Sequence, residues 1–487
     1  MADVSIDEQI NQLLAPGSRA FFEMVFVEVP IFGVGVPVVV ACLVGAAVFF
    51  TLYYRFINVM GLPMAVRTLQ GEFSGDDDPG EISHFQALTT AISGTVGIGN
   101  IGGVAVAIAA GGPGATFWMI VAGFLGMATK FAECTLGVRY RTVHPDGTVS
   151  GGPMFYLSRG LEERGWPQAG RALGSFYAVG IMIGCLGVGN MFQANQAYVQ
   201  MRAVTGGADS PLDGYGWAVG MVLAVVVGGV ILGGIQSIAA VTEKLVPLMA
   251  GLYFAGAVTV IAMNITALPE ACLAVLEGAM TGKAAAGGAI GSLIIGMQRA
   301  VFSNEAGIGS AAIAHSAVRT RLPATEGLVA LFEPFIDTIV ICTLTALVIG
   351  VATVTWPDFM ESGLAGVAMT SDAFGRTVWW FPYPLGIAAV LFAVSTMLSW
   401  SYYGLKGWSY LIGPSARMQM AYKLVFCVFI VIGASIKLDA VLDFSDAMVF
   451  VLCVPNILGL LILAPVVREE LVRLQQHATA KETKEAS

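Results

Sequence analysis

The chain has 487 residues; 56% are hydrophobic and only 12% are charged, about half the charge of an ordinary soluble domain. That is too little to cover a water-exposed surface of this size, which excludes a soluble enzyme, a nucleic-acid binder and a disordered chain. One membrane crossing takes about 20 residues, so there is length for roughly ten or more. The net charge of −9 is spread over ends and connections and singles out no partner.

In chain order, residues 1–33 form an acidic, amphipathic segment without the basic start and short apolar core of a signal peptide. A first helix is expected over 34–57, on the apolar run 36–54. Further apolar runs follow at 85–110, 114–137, 172–201, 214–242 and 245–269, then at 284–318, 327–354, 377–405, 419–436 and 447–467. The expectation is an all-α membrane protein with eleven transmembrane helices. One extra helix precedes five over 85–269 and five over 284–467, and a polar tail occupies 468–487. The segment 358–376 reads as an ordered loop or a short helix on the outer side. An odd count puts the termini on opposite sides. Arg19, Arg202, Lys283, Arg376 and Lys437 fall on one side. Many more basic residues, among them Arg55, Arg139, Arg141, Arg159, Arg319, Arg321 and Arg468, fall on the other. The positive-inside rule then places the N-terminus outside and the tail in the cytoplasm. The basic loop 139–171 needs no partner beyond the lipid surface. The seven cysteines include no CxxC and read as buried thiols. His84, His144, His315 and His477 are scattered, with no HExxH and no metal cluster.

Two stretches resemble each other. Ser93-Gly94-Thr95-Val96-Gly97-Ile98-Gly99-Asn100 and Ser303-Asn304-Glu305-Ala306-Gly307-Ile308-Gly309-Ser310 share Ser, Gly, Ile and Gly at one constant offset. Each opens a set of five spans. Five is odd, so the second set enters the membrane from the opposite side, which is an inverted-topology repeat. Glycine in a helix interior costs about 1 kcal/mol relative to alanine, so these clusters invite unwinding. Unwound backbone at membrane depth is tolerated only where it is shielded from lipid and used. Its free amides suit a carboxylate and its free carbonyls suit a cation. Two facing breaks therefore predict a site for a zwitterion and a metal ion. The plainer reading is close helix packing of the GxxxG kind. A third reading is an ion channel, because Thr95-Val96-Gly97-Ile98-Gly99 is similar to a potassium filter. A filter needs four such loops around one axis, and this chain carries one good copy.

Together the stretch 89–112, Gly151-Gly152-Pro153-Met154-Phe155-Tyr156 and Phe302-Ser303-Asn304-Glu305-Ala306-Gly307 resemble the alanine or glycine:cation symporters, the sodium:alanine symporter family with a LeuT-type fold. The resemblance runs from about 85 to 467. It implies secondary active uptake of a small neutral amino acid, alanine or glycine, across a bacterial-type inner membrane. Coupling would be to Na+, or in some members to H+. Spans 2–6 and 7–11 would form the two repeats, with spans 2 and 7 unwound at mid-membrane. No enzyme activity and no cofactor beyond the co-transported ion are implied, and no GxxxxGK[ST] is present.

On that resemblance Thr95 and the amides near Gly97 and Gly99 meet the substrate carboxylate. Carbonyls of the segment Phe302, Ser303, Asn304 and Glu305 receive its ammonium. Gln193 touches substrate and Trp400 closes the pocket. Ser93 and Val96 supply carbonyls and Ser395 and Thr396 hydroxyls to one Na+ site, with Asn100 beside another. Each residue also has a plainer role. Asn100 reads as a helix cap, Glu305 as a partner of Arg299, and Gln193 as an interhelical hydrogen bond. The paired hydroxyls read as bonded back to their own helix. An acid within a span is costly unless paired or wetted, which favours function for Glu305. Glu333 and Asp337, four residues apart on one face, are left between ion tuning and pairing with basic groups. Lys130 and Glu133 read as structural.

Overall fold

The computed structural model describes residues 6–485 apart from 32–33, 76, 282–287 and 437. Lys283, Lys437, the expected start of the second five-helix set at 284, and the outermost residues of both terminal segments lie outside the described residues. Among the described residues, seven helices are long and apolar enough to cross a membrane: Gly114–Arg139, Pro167–Val204, Gly234–Met263, Pro323–Thr355, Pro382–Ile412, Ala416–Ser435 and Val441–Thr483. Two bent pairs, Val38–Tyr53 with Ile57–Leu69 and His84–Thr95 with Gly99–Gly111, raise the number to nine. The strands among these residues form two short antiparallel hairpins, Glu28–Ile31 with Val34–Pro37 and Thr142–Val143 with Val149–Ser150.

Small residues let these helices approach closely, as packing between apolar helices in lipid requires. A Cβ on Gly114 would lie 2.2 Å from the backbone of Gly278, and one on Gly216 would lie 2.3 Å from the Ala434 carbonyl. Gly278 belongs to a helix absent from the expected set, Leu268–Met280, which packs across Gly114–Arg139.

Two further boundaries differ from the expectation. The break placed between 242 and 245 falls instead at Leu232 and Gly233, between Gly216–Ile231 and Gly234–Met263. Gly234 sits at φ 68, a conformation that glycine adopts readily. Glu243 and Lys244, which suggest a loop, lie inside the second helix, and Glu243 accepts a hydrogen bond from Gln86 Nε2 at 2.9 Å. The segment 358–376, expected as an ordered loop or a short helix, contains a short turn, Phe359–Ser362, and the helix Val367–Thr377. The expected tail continues the last helix as far as Glu485. Arg67 pairs with Glu482 at 2.8 Å and Lys481 donates to the Glu72 carbonyl at 2.8 Å, which docks that end against the molecule.

One arginine ties the sections before and after the two Gly-rich stretches together. The Arg141 guanidinium donates to the carbonyls of Pro79 (2.7 Å), Ser316 (2.8 Å), Val318 (2.5 Å) and Thr320 (2.7 Å). Burial pushes its pKa down to about 10, so it stays charged at neutral pH. Lysine lacks the planar fork needed to reach four acceptors. Arg141→Lys is expected to cost about 2–3 kcal/mol, the scale of losing hydrogen bonds from a charged donor. The check is thermal unfolding of detergent-solubilised protein; an unchanged transition would rule the clamp out.

Candidate functional site

The first Gly-rich stretch is a helix interruption. The His84–Thr95 helix begins with a capping box, in which Ser83 and Gln86 bond each other's backbone amides. It stops at Val96, whose ψ of 92° is extended. Gly97 is also non-helical, and the chain resumes as a π-turn, Gly99–Gly103, at 48° to its former direction. Two side chains reach the freed amides. Gly97 N–H donates to Asn100 Oδ1 at 2.8 Å, and Ile98 N–H donates to Gln193 Oε1 at 3.4 Å. Gly97 is glycine because there is no room: a Cβ would lie 2.6 Å from Thr396 Oγ1 and 3.3 Å from Gln193 Oε1.

The second stretch is interrupted as well. The Gly288–Asn304 helix ends, and residues 305–310 are non-helical before Ala311–His315. Glu305 has φ 57, Gly307 φ 97 and Gly309 φ 87. A left-handed conformation at a non-glycine residue persists only where its surroundings enforce it. Glu305 accepts from the Ser310 hydroxyl and from Trp400 Nε1 (3.1 Å). Asn304 donates to Thr338 Oγ1 at 3.0 Å and caps Ala306 N–H at 3.0 Å. Arg299, which the plainer reading gave Glu305 as a partner, pairs with Asp446.

Three bridges join the two interruptions. Trp400 Nε1 donates to both the Gly94 carbonyl (3.1 Å) and Glu305 Oε1. Asn100 Nδ2 donates to Ser303 Oγ (3.1 Å) and Asp337 Oδ1 (2.6 Å), while Ser303 Oγ donates to Asp337 Oδ2 (2.8 Å). The Phe302 ring lies 3.7 Å from where a Gly99 Cβ would be, and packs edge-on against Phe192. The structure thus gathers Gly97, Gly99, Asn100, Gln193, Phe302, Ser303, Glu305, Thr396 and Trp400, all buried. Thr396 Oγ1 has no hydrogen-bond partner among the described residues. The Thr95 hydroxyl is turned back to its own helix, towards the Ile92 carbonyl at 3.2 Å. The Ser395 hydroxyl bonds the Phe392 carbonyl and lies against Met249 Sδ, away from Gly97. The Ser93 hydroxyl meets Ser399 Oγ and the Ser395 carbonyl.

Several residues at the site were not assigned to it from the sequence. Asp337 stands between the two interruptions. Glu133, expected to be merely structural, accepts from Gly307 N–H at 2.9 Å and from Asn456 Nδ2 at 2.7 Å, so it holds the second interruption open. Asn456 also donates to the Gly307 carbonyl and bonds Tyr156 Oη, the last residue of the Gly151–Tyr156 motif. That motif is apposed to the second interruption: a Cβ on Gly309 would lie 2.5 Å from Pro153. The signal for Asp337 was its place four residues from Glu333; nothing local marks Asn456.

The model of the sodium:alanine symporter family matches residues 21–487. The chain belongs to this family. The sodium/alanine symporter AgcS of Methanococcus maripaludis is 39% identical over 436 residues, covering 89% of this chain and 93% of that one. The probable sodium/glutamine symporter GlnT of Bacillus subtilis is 33% identical over 431 residues, 88% and 86% of the two chains. Among solved structures, MhsT in complex with L-phenylalanine superposes with a TM-score of 0.56 at 16% identity, over 79% of this chain and 89% of that one. At that identity the likeness speaks to the fold alone, which is LeuT-like. The protein is therefore a multi-pass membrane transporter and not an enzyme, and Na+ is the family's co-transported ion.

Proposed function

We propose that this symporter imports alanine or glycine together with Na+ by alternating access. It would use eleven spans: the nine above, Gly216–Ile231, and the interrupted stretch 288–315. The N-terminus would lie outside and the C-terminus in the cytoplasm. The observation that carries the reading is the apposition of the two interruptions, whose amides and carboxylates are met by Asn100, Gln193, Ser303 and Trp400. Gln193 Oε1 stands at the Ile98 amide, where a substrate carboxylate oxygen would bind. The ammonium goes to carbonyls of residues 302–305 and to the Glu305 carboxylate. Phe302 and Trp400, packed against glycines, leave room for a hydrogen or a methyl group as side chain.

Coupling follows from Asn100. Its amide oxygen accepts the Gly97 N–H, and its nitrogen lies on Asp337. Na+ is a hard cation and prefers oxygen ligands. An ion held by Asp337, Ser303 and a turned Asn100 Oδ1 releases the Gly97 amide to the substrate carboxylate, so ion and amino acid bind better together than apart. A second ion site uses the Ser93 and Val96 carbonyls with the Thr396 hydroxyl and, once rotated, that of Ser395. The test is uptake of labelled alanine by proteoliposomes with and without an inward Na+ gradient. Uptake at least tenfold faster with the gradient is expected; equal uptake would remove the coupling, and substrate-free single-channel currents would support the filter reading instead.

A further inference from the structure

The first helix ends in a bend that sets two arginines over a cavity. Val38–Tyr53 and Ile57–Leu69 meet at 61°. The bend runs through Arg55 at φ 55 and Phe56 at φ 57, two successive non-glycine residues in the left-handed region. That conformation persists only where neighbouring contacts hold it. Here the Phe56 amide donates to the Thr51 carbonyl at 2.7 Å, and the Tyr54 hydroxyl donates to the Ala464 carbonyl of the last helix at 3.4 Å. Gly61 lets the second half settle close to Leu328, since a Cβ there would lie 2.8 Å from Leu328 Cδ2. Between the bend, Leu328 and the last helix is a cavity of about 320 Å³, lined in part by Tyr53, Arg55, Met60 and Arg468.

Two guanidiniums line this cavity and, among the described residues, no acid does. Neither Arg55 nor Arg468 has an ion pair or a side-chain hydrogen bond to a described residue. Arg468 rests over the Tyr53 ring, 5.7 Å from its centroid. That cation–π contact places the guanidinium without using its N–H donors. On the other side of Arg468 a second cavity, of about 390 Å³, is lined also by Arg473 and Glu469. Glu469 is the acid on this side, because its neighbour Glu470 is already held by Arg139 at 3.2 Å and Arg473 at 3.6 Å. The balance at the bend is cationic.

We propose that the cavity is a binding site for an anionic phospholipid, with the phosphate held between Arg55 and Arg468 and the acyl chains lying on Leu52, Phe56 and Met60. The bend closes the apolar run 36–54, so it stands where hydrocarbon gives way to headgroups, the level at which tyrosine rings gather. Leu52, Phe56, Val59 and Met60 are exposed beside it. Guanidiniums grip phosphate oxygens in pairs. A free anion would satisfy the arginines and leave the apolar rim uncovered, whereas a lipid meets both. Basic pockets between spans on the cytoplasmic side suit acidic headgroups, and the topology proposed above puts the bend on that side. The bound lipid would tie the first helix, which belongs to neither five-helix set, to the last.

The test is lipid binding to the full-length protein in a neutral detergent, read by native mass spectrometry with phosphatidylglycerol or phosphatidylcholine added. One phosphatidylglycerol is expected to bind at least ~10-fold more tightly than phosphatidylcholine, the scale of two arginines facing an anionic surface. Arg55→Gln combined with Arg468→Gln should bring the two lipids level. Arg417→Gln, at an exposed arginine that does not line the cavity, should keep the preference. Excess inorganic phosphate should displace no more lipid than chloride does at equal ionic strength. Equal binding of the two lipids by the wild type would overturn the proposal, and so would a preference that survives the double substitution or is lost equally in Arg417→Gln. Displacement by phosphate beyond that by chloride would assign the site to a soluble anion instead. The wild-type comparison decides even where the double variant does not fold. It needs neither Na+ nor transport, so failure of the alanine reading would show as absent uptake with the lipid preference intact.

Discussion

Gly97→Ala is expected to lower Na+-driven alanine uptake at least ~100-fold. The added methyl would stand 2.6 Å from Thr396 Oγ1 and 3.3 Å from Gln193 Oε1, in the angle between the two halves of the first interrupted helix. Overpacking in a filled interior costs about 1–3 kcal/mol, and roughly 1.4 kcal/mol is tenfold in an equilibrium. The larger part of the effect is chemical, because on the proposed reading the methyl projects where the substrate carboxylate would meet the Gly97 and Ile98 amides. At Gly103, in the same helix, no atom of the described residues lies within 4 Å of where a Cβ would sit, so Gly103→Ala should transport within about twofold of wild type. Initial uptake rates in proteoliposomes, normalised to folded protein, make the comparison. Similar rates for the two variants would show that the first interruption does not hold substrate.

Asp337→Asn is expected to raise the Na+ concentration for half-maximal uptake at least ~10-fold, with a smaller effect on the maximal rate. The carboxylate is buried, and its hydrogen bonds come from neutral donors: Asn100 Nδ2 at 2.6 Å, Ser303 Oγ at 2.8 Å and Thr338 Oγ1 at 2.7 Å. A charge in such a place needs a counter-charge, and on the proposed reading a hard monovalent cation between Asp337, Ser303 and Asn100 would supply one. Asparagine keeps the volume and one acceptor but removes the charge. A tenfold change corresponds to about 1.4 kcal/mol, modest for the loss of one ionised ligand. Titrating uptake against Na+ at saturating alanine is the measurement; an unchanged midpoint would move the coupling ion elsewhere, with the Thr396 hydroxyl the next candidate.

Much of the site was legible because its signals are local. Glycines at 97, 99, 307 and 309 disfavour helix in any context, and the duplicated pattern marked two of the places where the chain leaves helical geometry. Gln193 and Trp400 were reached through the family resemblance, and the structure sets both against the interruptions. Pair partners were not legible. Arg299 is six residues from Glu305 yet lies on Asp446, and Glu133 lies on Gly307 rather than on Lys130. His84 and His315 are far apart in the chain and meet through Glu326.

The sequence alone determined that this chain lives in a membrane and nearly where most of its helices run, and it marked two stretches where the chain leaves helical geometry; the bend between Val38–Tyr53 and Ile57–Leu69 it did not mark. Hydropathy and helix propensity are sums over neighbouring residues and need no knowledge of the rest. Where a charged side chain found a partner far along the chain, as with Glu243 and Gln86 or Lys481 and the Glu72 carbonyl, the local pattern pointed to a loop or a tail and the structure holds helix. Only the tertiary structure decided which acid meets which base. In a low-dielectric interior an unpaired charge is too costly to leave, so Glu326, Glu333 and Asp446 take their partners from whichever helix the packing brings within reach.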